Sequence, residues 1–196
     1  MDLRLKEVRF LEVGPLSFSL KASERVTLFG ASGVGKSQML RAIVDLSPFT
    51  GSIEFGGQQT AEIPPTELRL NLGYLPAESA WWFDLVSPHF KKPQELPLTD
   101  LGFTSGILDQ EVYQLSSGEK QRLGLLRMLE MQPKFLLLDE PTASLDPSSV
   151  GLMEDLIVDY CDKTGAGYLW VSHDPSQAKR MGTRCLELKP NEVAEL

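Results

Sequence analysis

Hydrophobic and polar residues alternate along the first part of the chain, most clearly at Leu16, Phe18 and Leu20. A period of two is typical of a strand that buries one face. A short apolar run such as Phe135 to Leu138 favours a strand that is buried on both faces. The pattern as a whole predicts strands at 3–10, 16–20, 25–29, 51–55, 72–75, 135–138, 167–171 and 184–188.

Helical spacing occurs between several of these strands. Met39, Leu40, Ile43 and Val44 recur at intervals that place them on one face of a helix, which predicts a helix over 37–46. Further helices are predicted at 118–131, 149–161 and 176–181. Strands that alternate with helices are typical of an α/β fold, in which helices cover both faces of a mainly parallel sheet. The early strands then form an antiparallel β subdomain beside that sheet.

The segment from about residue 79 to 115 differs in composition from the rest of the chain. It is rich in aromatic residues and proline and lacks long β-branched runs. We therefore expect helices with loops, which form a small helical subdomain inserted into the core. The prediction for the whole chain is one domain over residues 1–196, since this length suits a single folding unit.

The composition argues against several classes of protein. A formal net charge of -8 does not suit a nucleic-acid-binding surface, which normally depends on clustered lysine and arginine. No apolar run reaches the roughly 20 residues needed to cross a bilayer, and the N-terminal residues do not resemble a signal peptide. Cys161 and Cys185 lie far apart and in no metal-ligand spacing, so we expect two free thiols in a reducing cytoplasm.

A glycine-rich segment between a predicted strand and a predicted helix carries the strongest chemical signal. Gly30 to Ser37 fits the pattern G-x-x-x-x-G-K-[ST] of a phosphate-binding loop. Its glycines let backbone N–H groups converge on phosphate oxygens, and the following helix adds the positive end of its dipole. We expect Lys36 to reach the β- and γ-phosphates of a nucleotide and Ser37 to bind Mg²⁺. The candidate nucleotide-binding residues are Gly30, Ala31, Ser32, Gly33, Val34, Gly35, Lys36, Ser37 and Gln38.

Two carboxylates follow the apolar strand predicted at 135–138. Asp139 is expected at the end of the strand, where it would hold Mg²⁺ through water. Glu140 follows directly and is suited to polarise an attacking water. Strands often end in charged residues, so this pair gains weight only in combination with the phosphate-binding loop.

The segment Leu115 to Arg122 resembles the signature motif of ATP-binding-cassette (ABC) proteins, which has the consensus LSGGQ. Around Ser116 and Gly118, Ser117 replaces the first glycine and Glu119 replaces the glutamine. In that family the signature meets the γ-phosphate bound by the other protomer, so two ATP molecules lie between two copies. The alternative is an ordinary helix start, because Ser116 and Glu119 also match a capping box, and both interpretations can hold together.

Two more segments resemble ABC motifs, in the order that the family has them. Residues 141–146 resemble the loop through which the protomers sense each other, with Asp146 as its candidate residue. His173 follows a predicted strand and resembles the switch histidine, which contacts the γ-phosphate. The resemblance implies a P-loop NTPase of ABC type that hydrolyses ATP with Mg²⁺. It implies Glu140, His173 and Lys36 as the catalytic residues, with Ser37 and Asp139 at the metal.

The chain departs from the family pattern at two places. Ala77 stands where the family has a metal-contacting glutamine, and we expect Glu78 to take over the contact with Mg²⁺ or its water. A solvated Glu78 without such a role is the alternative. The aromatic residue that stacks on adenine in the family has Phe10 as its nearest candidate, although the strand alternation would equally bury Phe10 in the core.

The resemblance further implies a transporter subunit that drives a separate membrane permease. The apolar cluster Ala80 to Phe83 lies where the family receives a helix of the permease, but both tryptophans would also suit a core. We expect an ATP-closed homodimer in the cytoplasm, held at the inner face of the membrane only through that partner and binding no nucleic acid. A finer resemblance is to compact bacterial exporter ATPases, including a metal (iron) export type. The alternatives are soluble ABC ATPases of cofactor-scaffold assembly or DNA repair.

Overall fold

Strands and helices alternate along most of the chain in the computed structural model, which describes residues 1–196. The N-terminal part contains β1 (Leu3–Phe10), β2 (Val13–Leu20), β3 (Arg25–Phe29), α1 (Lys36–Ile43), β4 (Thr50–Phe55), β5 (Gln58–Gln59), α2 (Pro65–Asn71) and β6 (Leu72–Leu75). The rest contains α3 (Ser117–Leu129), β7 (Phe135–Asp139), α4 (Pro147–Thr164), β8 (Gly167–Val171), α5 (Pro175–Met181), β9 (Arg184–Lys189) and β10 (Glu192–Glu195).

The N-terminal strands form an antiparallel sheet in the order β2-β1-β4-β5. Leu3, Leu5 and Leu16 are buried on its inner face, whereas their neighbours Arg4 and Ser17 are exposed. The alternation in the sequence therefore selects the face that packs on the core. This sheet is the antiparallel β subdomain that the sequence predicts.

The second sheet has six strands in the order β10-β9-β3-β8-β7-β6. All neighbours from β9 to β6 are parallel, and only β10 runs antiparallel to β9. The carboxyl ends of β3, β7 and β8 therefore meet at one edge of the sheet. The phosphate-binding loop follows β3, the two carboxylates end β7 or follow it, and the candidate histidine follows β8.

Two hydrophobic clusters cover the two faces of this parallel sheet. Leu137 and Leu169 belong to one cluster, together with residues of β1, β4 and α1. Leu136 and Trp170 belong to the other cluster, which includes residues of α3 and α4. Continuous apolar strands such as β7 follow from burial on both faces, as the sequence predicts.

The segment between β6 and α3 differs from the expectation of helices with loops. It contains no α-helix, and its helical character is limited to short 3₁₀ turns at 87–89, 93–95, 98–101, 105–109 and 112–114. Pro88, Pro93 and Pro97 explain part of this difference, because proline interrupts the backbone hydrogen bonds of a longer helix. Apolar side chains of the segment, such as Leu101 and Phe103, are nevertheless buried in the second cluster.

The structure can be compared with two expectations from composition, which concern membrane-spanning segments and the two cysteines. None of the helices combines the length and the apolarity that a membrane crossing requires. Cys161 is buried and Cys185 is half-buried, and both are free thiols.

Candidate nucleotide site

The loop between β3 and α1 has the backbone conformation that its glycines allow. Gly30, Gly33 and Gly35 have φ values of 153°, 78° and 104°, a region that other residues rarely enter. At Gly35 a Cβ would also lie 3.0 Å from Cε2 of Phe10. Gly35 is the N-cap of α1 and provides no side-chain cap, so no side chain of the cap occupies the first N–H groups of this helix.

The other residues of the loop surround that helix end. Lys36 donates from Nζ to the carbonyl oxygens of Gly30 (2.8 Å) and Ala31 (3.1 Å), so its ammonium lies inside the loop. Ala31, Ser32 and Gly33 are exposed, and Val34 is half-buried. Half-buried Gln38 accepts a hydrogen bond from Ser47, which ties the first turn of α1 to the segment that follows the helix.

Asp139 lies beside the phosphate-binding loop at the end of β7. Ser37 Oγ donates to its Oδ1 at 2.9 Å, and the Tyr74 hydroxyl donates to its Oδ2 at 3.3 Å. Burial raises the pKa of Asp139, while the two hydrogen bonds act in the opposite direction. Hydroxyl and carboxylate oxygens are the donors that Mg²⁺ prefers, so Ser37 and Asp139 fit a Mg²⁺ ion that also binds phosphate oxygens and water.

Glu140 and His173 approach each other at the ends of β7 and β8. His173 Nδ1 lies 3.4 Å from Glu140 Oε2, and both side chains are accessible to solvent, His173 more so. Glu140 has a left-handed backbone with φ 46°, which is unusual for a residue that is not glycine. Its N–H donates to the carbonyl oxygen of Val171 in β8, which continues the sheet hydrogen bonding by one residue. This strained turn holds the carboxylate at the open edge of the sheet. Strained backbone conformations of this kind cluster at functional sites.

The start of α3 carries the serine-rich motif and is capped by side chains. The backbone N–H of Glu119 donates to Ser116 Oγ at 3.3 Å, and the N–H of Ser116 donates to Glu119 Oε2 at 2.9 Å. The Ser116 hydroxyl also donates to Glu119 at 2.7 Å, and these bonds lower the pKa of Glu119. The capping box in the sequence is thus present, with exposed Ser116 and Ser117. No hydrogen bond joins this helix start to the phosphate-binding loop of the same chain.

The loop after β7 packs against the start of α3. A Cβ on Gly118 would lie 3.1 Å from Cδ2 of Leu145 and 3.2 Å from the carbonyl oxygen of Ser144. Asp146 ends this loop as the N-cap of α4, where its carboxylate accepts from the N–H groups of Ser148 and Ser149. Hydrogen bonds from the side chains of Ser148 and Ser149, together with these backbone bonds, lower the pKa of Asp146. The candidate communication loop and the serine-rich motif therefore form one continuous surface.

Glu78 lies in a different environment from Asp139. It is exposed in a groove with Ser117 and Lys120, and it makes no hydrogen bond to Ser37 or Asp139. Its placement favours the solvated alternative that the sequence left open. Its metal contact stays a prediction.

Phe10 occupies the core beside the phosphate-binding loop. Its side chain is only 3% exposed, and it belongs to the first hydrophobic cluster. A Cβ at Gly35 would lie 3.0 Å from Cε2 of Phe10, so the ring lies next to the loop at the position where only glycine fits. This burial favours the core alternative over stacking on adenine, because a stacking ring needs an exposed face.

The two tryptophans after β6 divide between the two alternatives considered for them. Trp81 is half-buried and packs on the second hydrophobic cluster, whereas Trp82 is 63% exposed. The guanidinium of Arg127 lies 4.7 Å from the ring centroids of both tryptophans. Trp81 is therefore a packing residue, and Trp82 is available to a partner.

Tyr74 and Gln121 were not among the candidates from the sequence. Tyr74 lies on β6, which is the parallel neighbour of β7. A prediction that β6 and β7 are adjacent would therefore have placed Tyr74 near Asp139. Gln121 donates to the carbonyl oxygen of Pro76 at 2.8 Å and accepts from Ser79 at 3.0 Å, which ties the loop after β6 to α3. That contact joins residues over 40 positions apart and leaves no local pattern.

Comparison with known proteins adds a family to this geometry. A family model described as "ABC transporter" matches residues 13–143. The "Probable iron export ATP-binding protein FetA" of Escherichia coli (strain K12) is 30% identical, and the alignment covers 96% of this chain and 92% of that protein. The "Glycine betaine/carnitine/choline transport ATP-binding protein OpuCA" of Bacillus subtilis (strain 168) is 28% identical over 94% of this chain, which spans about half (53%) of its length.

A solved structure has the same fold. The dimeric "ATP-binding cassette MJ0796 bound to ADP and Pi", described as a post-hydrolysis state, superposes with a TM-score of 0.80. The alignment covers 99% of this chain and 97% of that one at 23% sequence identity. At this identity the likeness establishes the arrangement of strands and helices.

Proposed function

This chain belongs to the ABC transporter family and is an ATPase of that family, and from this premise we propose that two copies close around ATP and drive a separate membrane permease. The observation that carries the proposal is the division of the site between two helix starts. The start of α1 has no side-chain cap and faces the phosphate-binding loop, whereas the exposed serines at the start of α3 form no hydrogen bond with that loop. A second copy can supply those serines to the γ-phosphate.

The phosphate-binding loop and Asp139 would hold Mg·ATP within one chain. Backbone N–H groups at the start of α1 bind phosphate oxygens, and Lys36 moves from the carbonyls of Gly30 and Ala31 to the phosphates. Ser37 and Asp139 would hold Mg²⁺, which neutralises charge on the β- and γ-phosphates when bound. Lys36 adds a fixed positive charge at the transferring phosphoryl group.

Glu140 and His173 would complete the hydrolytic step in this proposal. The Glu140 carboxylate orients the attacking water and accepts its proton, since it is ionisable, accessible and held at the edge of the sheet. The His173 imidazole, 3.4 Å away, keeps the carboxylate in place and reaches toward the γ-phosphate. Loss of the γ-phosphate would remove the contacts that join the copies, and the dimer would reopen.

A groove beside Trp82 is the proposed docking surface for the permease. It contains no acidic residue, although the chain as a whole has a net charge of -8. A permease segment with apolar residues and at least one carboxylate would match its apolar and basic lining, and would hold this chain at the cytoplasmic face of the membrane. The groove residues used in this argument are Leu46, Trp82 and Met131, which are apolar, and Arg69, Lys91 and Arg127, which are basic.

Glu140→Gln tests the closure of two copies. The variant should bind ATP, lose turnover by about 100-fold or more because the general base is gone, and elute as a dimer with ATP in size-exclusion chromatography. Adding Lys36→Ala to Glu140→Gln should return the protein to a monomer. A Glu140→Gln protein that binds ATP and remains monomeric would contradict the proposal.

Trp82→Ala tests the permease surface. The tagged wild-type chain, purified from native membranes, should carry one multi-helix membrane protein in fixed stoichiometry. Trp82→Ala should lose that protein while the isolated chain keeps its ATPase rate, because Trp82 lies outside the nucleotide site. Tyr113→Ala is the matched control, since Tyr113 is another large exposed aromatic residue that does not line the groove. Equal recovery of the membrane protein with both variants would exclude this groove.

A further inference from the structure

A buried glutamine connects the two loops that carry Glu140 and His173. Gln177 lies in α5 and is only 6% exposed. Its Nε2 donates to Thr142 Oγ1 at 2.8 Å, two residues after Glu140. Its Oε1 accepts from Ser172 Oγ at 2.8 Å, one residue before His173. One side-chain amide therefore bonds to both catalytic loops at once.

The same amide is itself fixed from the other side. Gln177 Nε2 also donates to Glu154 Oε1 at 2.8 Å. Glu154 lies in α4 and is nearly buried, and Arg180 donates to both of its carboxylate oxygens at 2.7 and 2.8 Å. Both amide hydrogens and the amide oxygen of Gln177 are thus used. A buried polar network in which every member has a partner is rigid, and its geometry is unique.

The two loops leave paired strands, since the N–H of Glu140 donates to the carbonyl oxygen of Val171. Beyond that bond no hydrogen bond joins residues 141–146 directly to residues 172–174, and the amide of Gln177 makes the connection. His173 is largely exposed, and Glu140 sits in a strained left-handed turn. A strained conformation persists only when the surrounding structure over-determines it. Thr142 is close enough to Glu140 to fix that turn, and Ser172 is close enough to His173 to fix the direction in which it leaves β8.

From this placement we propose that Gln177 is a positioning residue for ATP hydrolysis, which holds the Glu140 and His173 loops at their working separation. It acts through those two residues, and its own amide groups, all bonded within the protein, do not touch the nucleotide. The inference rests on the proposed roles of Glu140 and His173. A small displacement of reacting groups costs a large factor in rate. Gln177 forms no hydrogen bond with the phosphate-binding loop, so ATP affinity should not depend on it.

Gln177→Met tests the proposal, because methionine keeps the length of the side chain and removes its hydrogen bonds. We expect kcat for ATP hydrolysis to fall by about 10- to 100-fold with an unchanged Kd for ATP, since the phosphate-binding loop is not altered. In a His173→Ala background the same change should lower the residual rate by less than about threefold, because the two substitutions disable one unit. An equal fall in both backgrounds would show a general structural effect and overturn the inference.

Gln59→Met is the matched control. Gln59 also accepts from a serine, Ser52, and donates to a glutamate, Glu54, at 3.0 Å each, but it lies in the antiparallel sheet. This variant should keep the wild-type kcat. If Gln177→Met does not fold, Thr142→Val replaces it, since it removes one bond of the network without changing its shape, and kcat should still fall several-fold.

These measurements distinguish a failure of the inference about Gln177 from a failure of the proposed function on which it rests. A wild-type chain with no ATPase activity would contradict the proposed hydrolytic roles themselves. An active wild type whose Gln177→Met and Thr142→Val variants keep full kcat would contradict only the role of Gln177.

Discussion

The two helices that carry the nucleotide motifs begin in opposite ways. Helix α1 starts after Gly35, whose φ of 104° turns the chain sharply and whose lack of a side chain leaves the helix end uncapped. Helix α3 starts after Ser116, which forms a complete capping box with Glu119. One end offers its N–H groups to a ligand, and the other has already satisfied part of its hydrogen-bonding capacity within the chain.

The difference indicates that the two helix ends serve different functions in nucleotide binding. An uncapped helix end gains its missing partners when phosphate binds, so α1 is suited to hold nucleotide in a single chain. The capped end of α3 is stable without a ligand and presents exposed serines on a rigid helix. Such an end suits a contact that forms only when a second copy arrives. The predictions below test this contrast, from the largest expected effect to the smallest.

Gly35→Ala should weaken the binding of ATP phosphates at the uncapped start of α1. A methyl group at this position would lie 3.0 Å from Phe10 Cε2 and 3.2 Å from Val13 Cγ2, on a backbone that disfavours any side chain. We expect the Kd for ATP to rise by about 100-fold, measured by fluorescent-nucleotide titration. Gly57→Ala is the control, since Gly57 also has a positive φ of 87° but has no atom near its Cβ position. Similar ATP affinities for both variants would contradict this account of α1.

Ser116→Ala should affect the second helix end in a different way. Binding of ATP to one chain should be unchanged, while kcat should fall about tenfold because the serine hydroxyl no longer meets the γ-phosphate of the partner chain. Loss of the cap should also lower stability by about 1 kcal/mol in thermal unfolding. Ser116→Thr keeps a hydroxyl and should restore most of both. A Ser116→Ala protein with normal kcat would show that Ser116 only caps the helix and does not contact the γ-phosphate of the partner chain.

Glu119→Gln should produce the smallest effect. The hydrogen bonds from Ser116 lower the pKa of Glu119, so its carboxylate is charged where the γ-phosphate would arrive. Removal of this charge should reduce the ATP concentration needed for dimerisation by about two- to fivefold, measured in a Glu140→Gln background. Glu67→Gln, in the first turn of α2, is the control. A higher ATP requirement for Glu119→Gln would show that the capping role dominates.

Much of the fold follows from local patterns, and the exceptions have physical causes. The alternation at Leu16, Phe18 and Leu20 and the apolar runs of β7 and β8 report burial directly, so these strands were predicted. Helix α2 and strand β10 are short and mostly polar, so they carry no clear period. The segment from 79 to 115 is apolar enough to be buried, but its prolines limit it to 3₁₀ turns.

The candidate site likewise contains residues that local motifs predict and contacts that only the folded chain reveals. Lys36, Ser37, Asp139 and His173 lie in short motifs at strand ends, and parallel pairing brings such ends together. The left-handed turn at Glu140 has no signature in its residue type. The bonds of Gln177 join positions 5, 23 and 35 residues away, which only the folded chain reveals.

Mixing two defective variants is the most direct test that each site is shared between two copies. Lys36→Ala disables the phosphate-binding loop, and Ser116→Asp keeps a good helix cap while it places a carboxylate against the γ-phosphate of the partner chain. Each variant alone should be inactive, and the mixture should recover ATPase activity, because one site of the mixed dimer has both an intact loop and an intact serine. Wild-type turnover by Ser116→Asp alone in dilute solution would contradict the shared site.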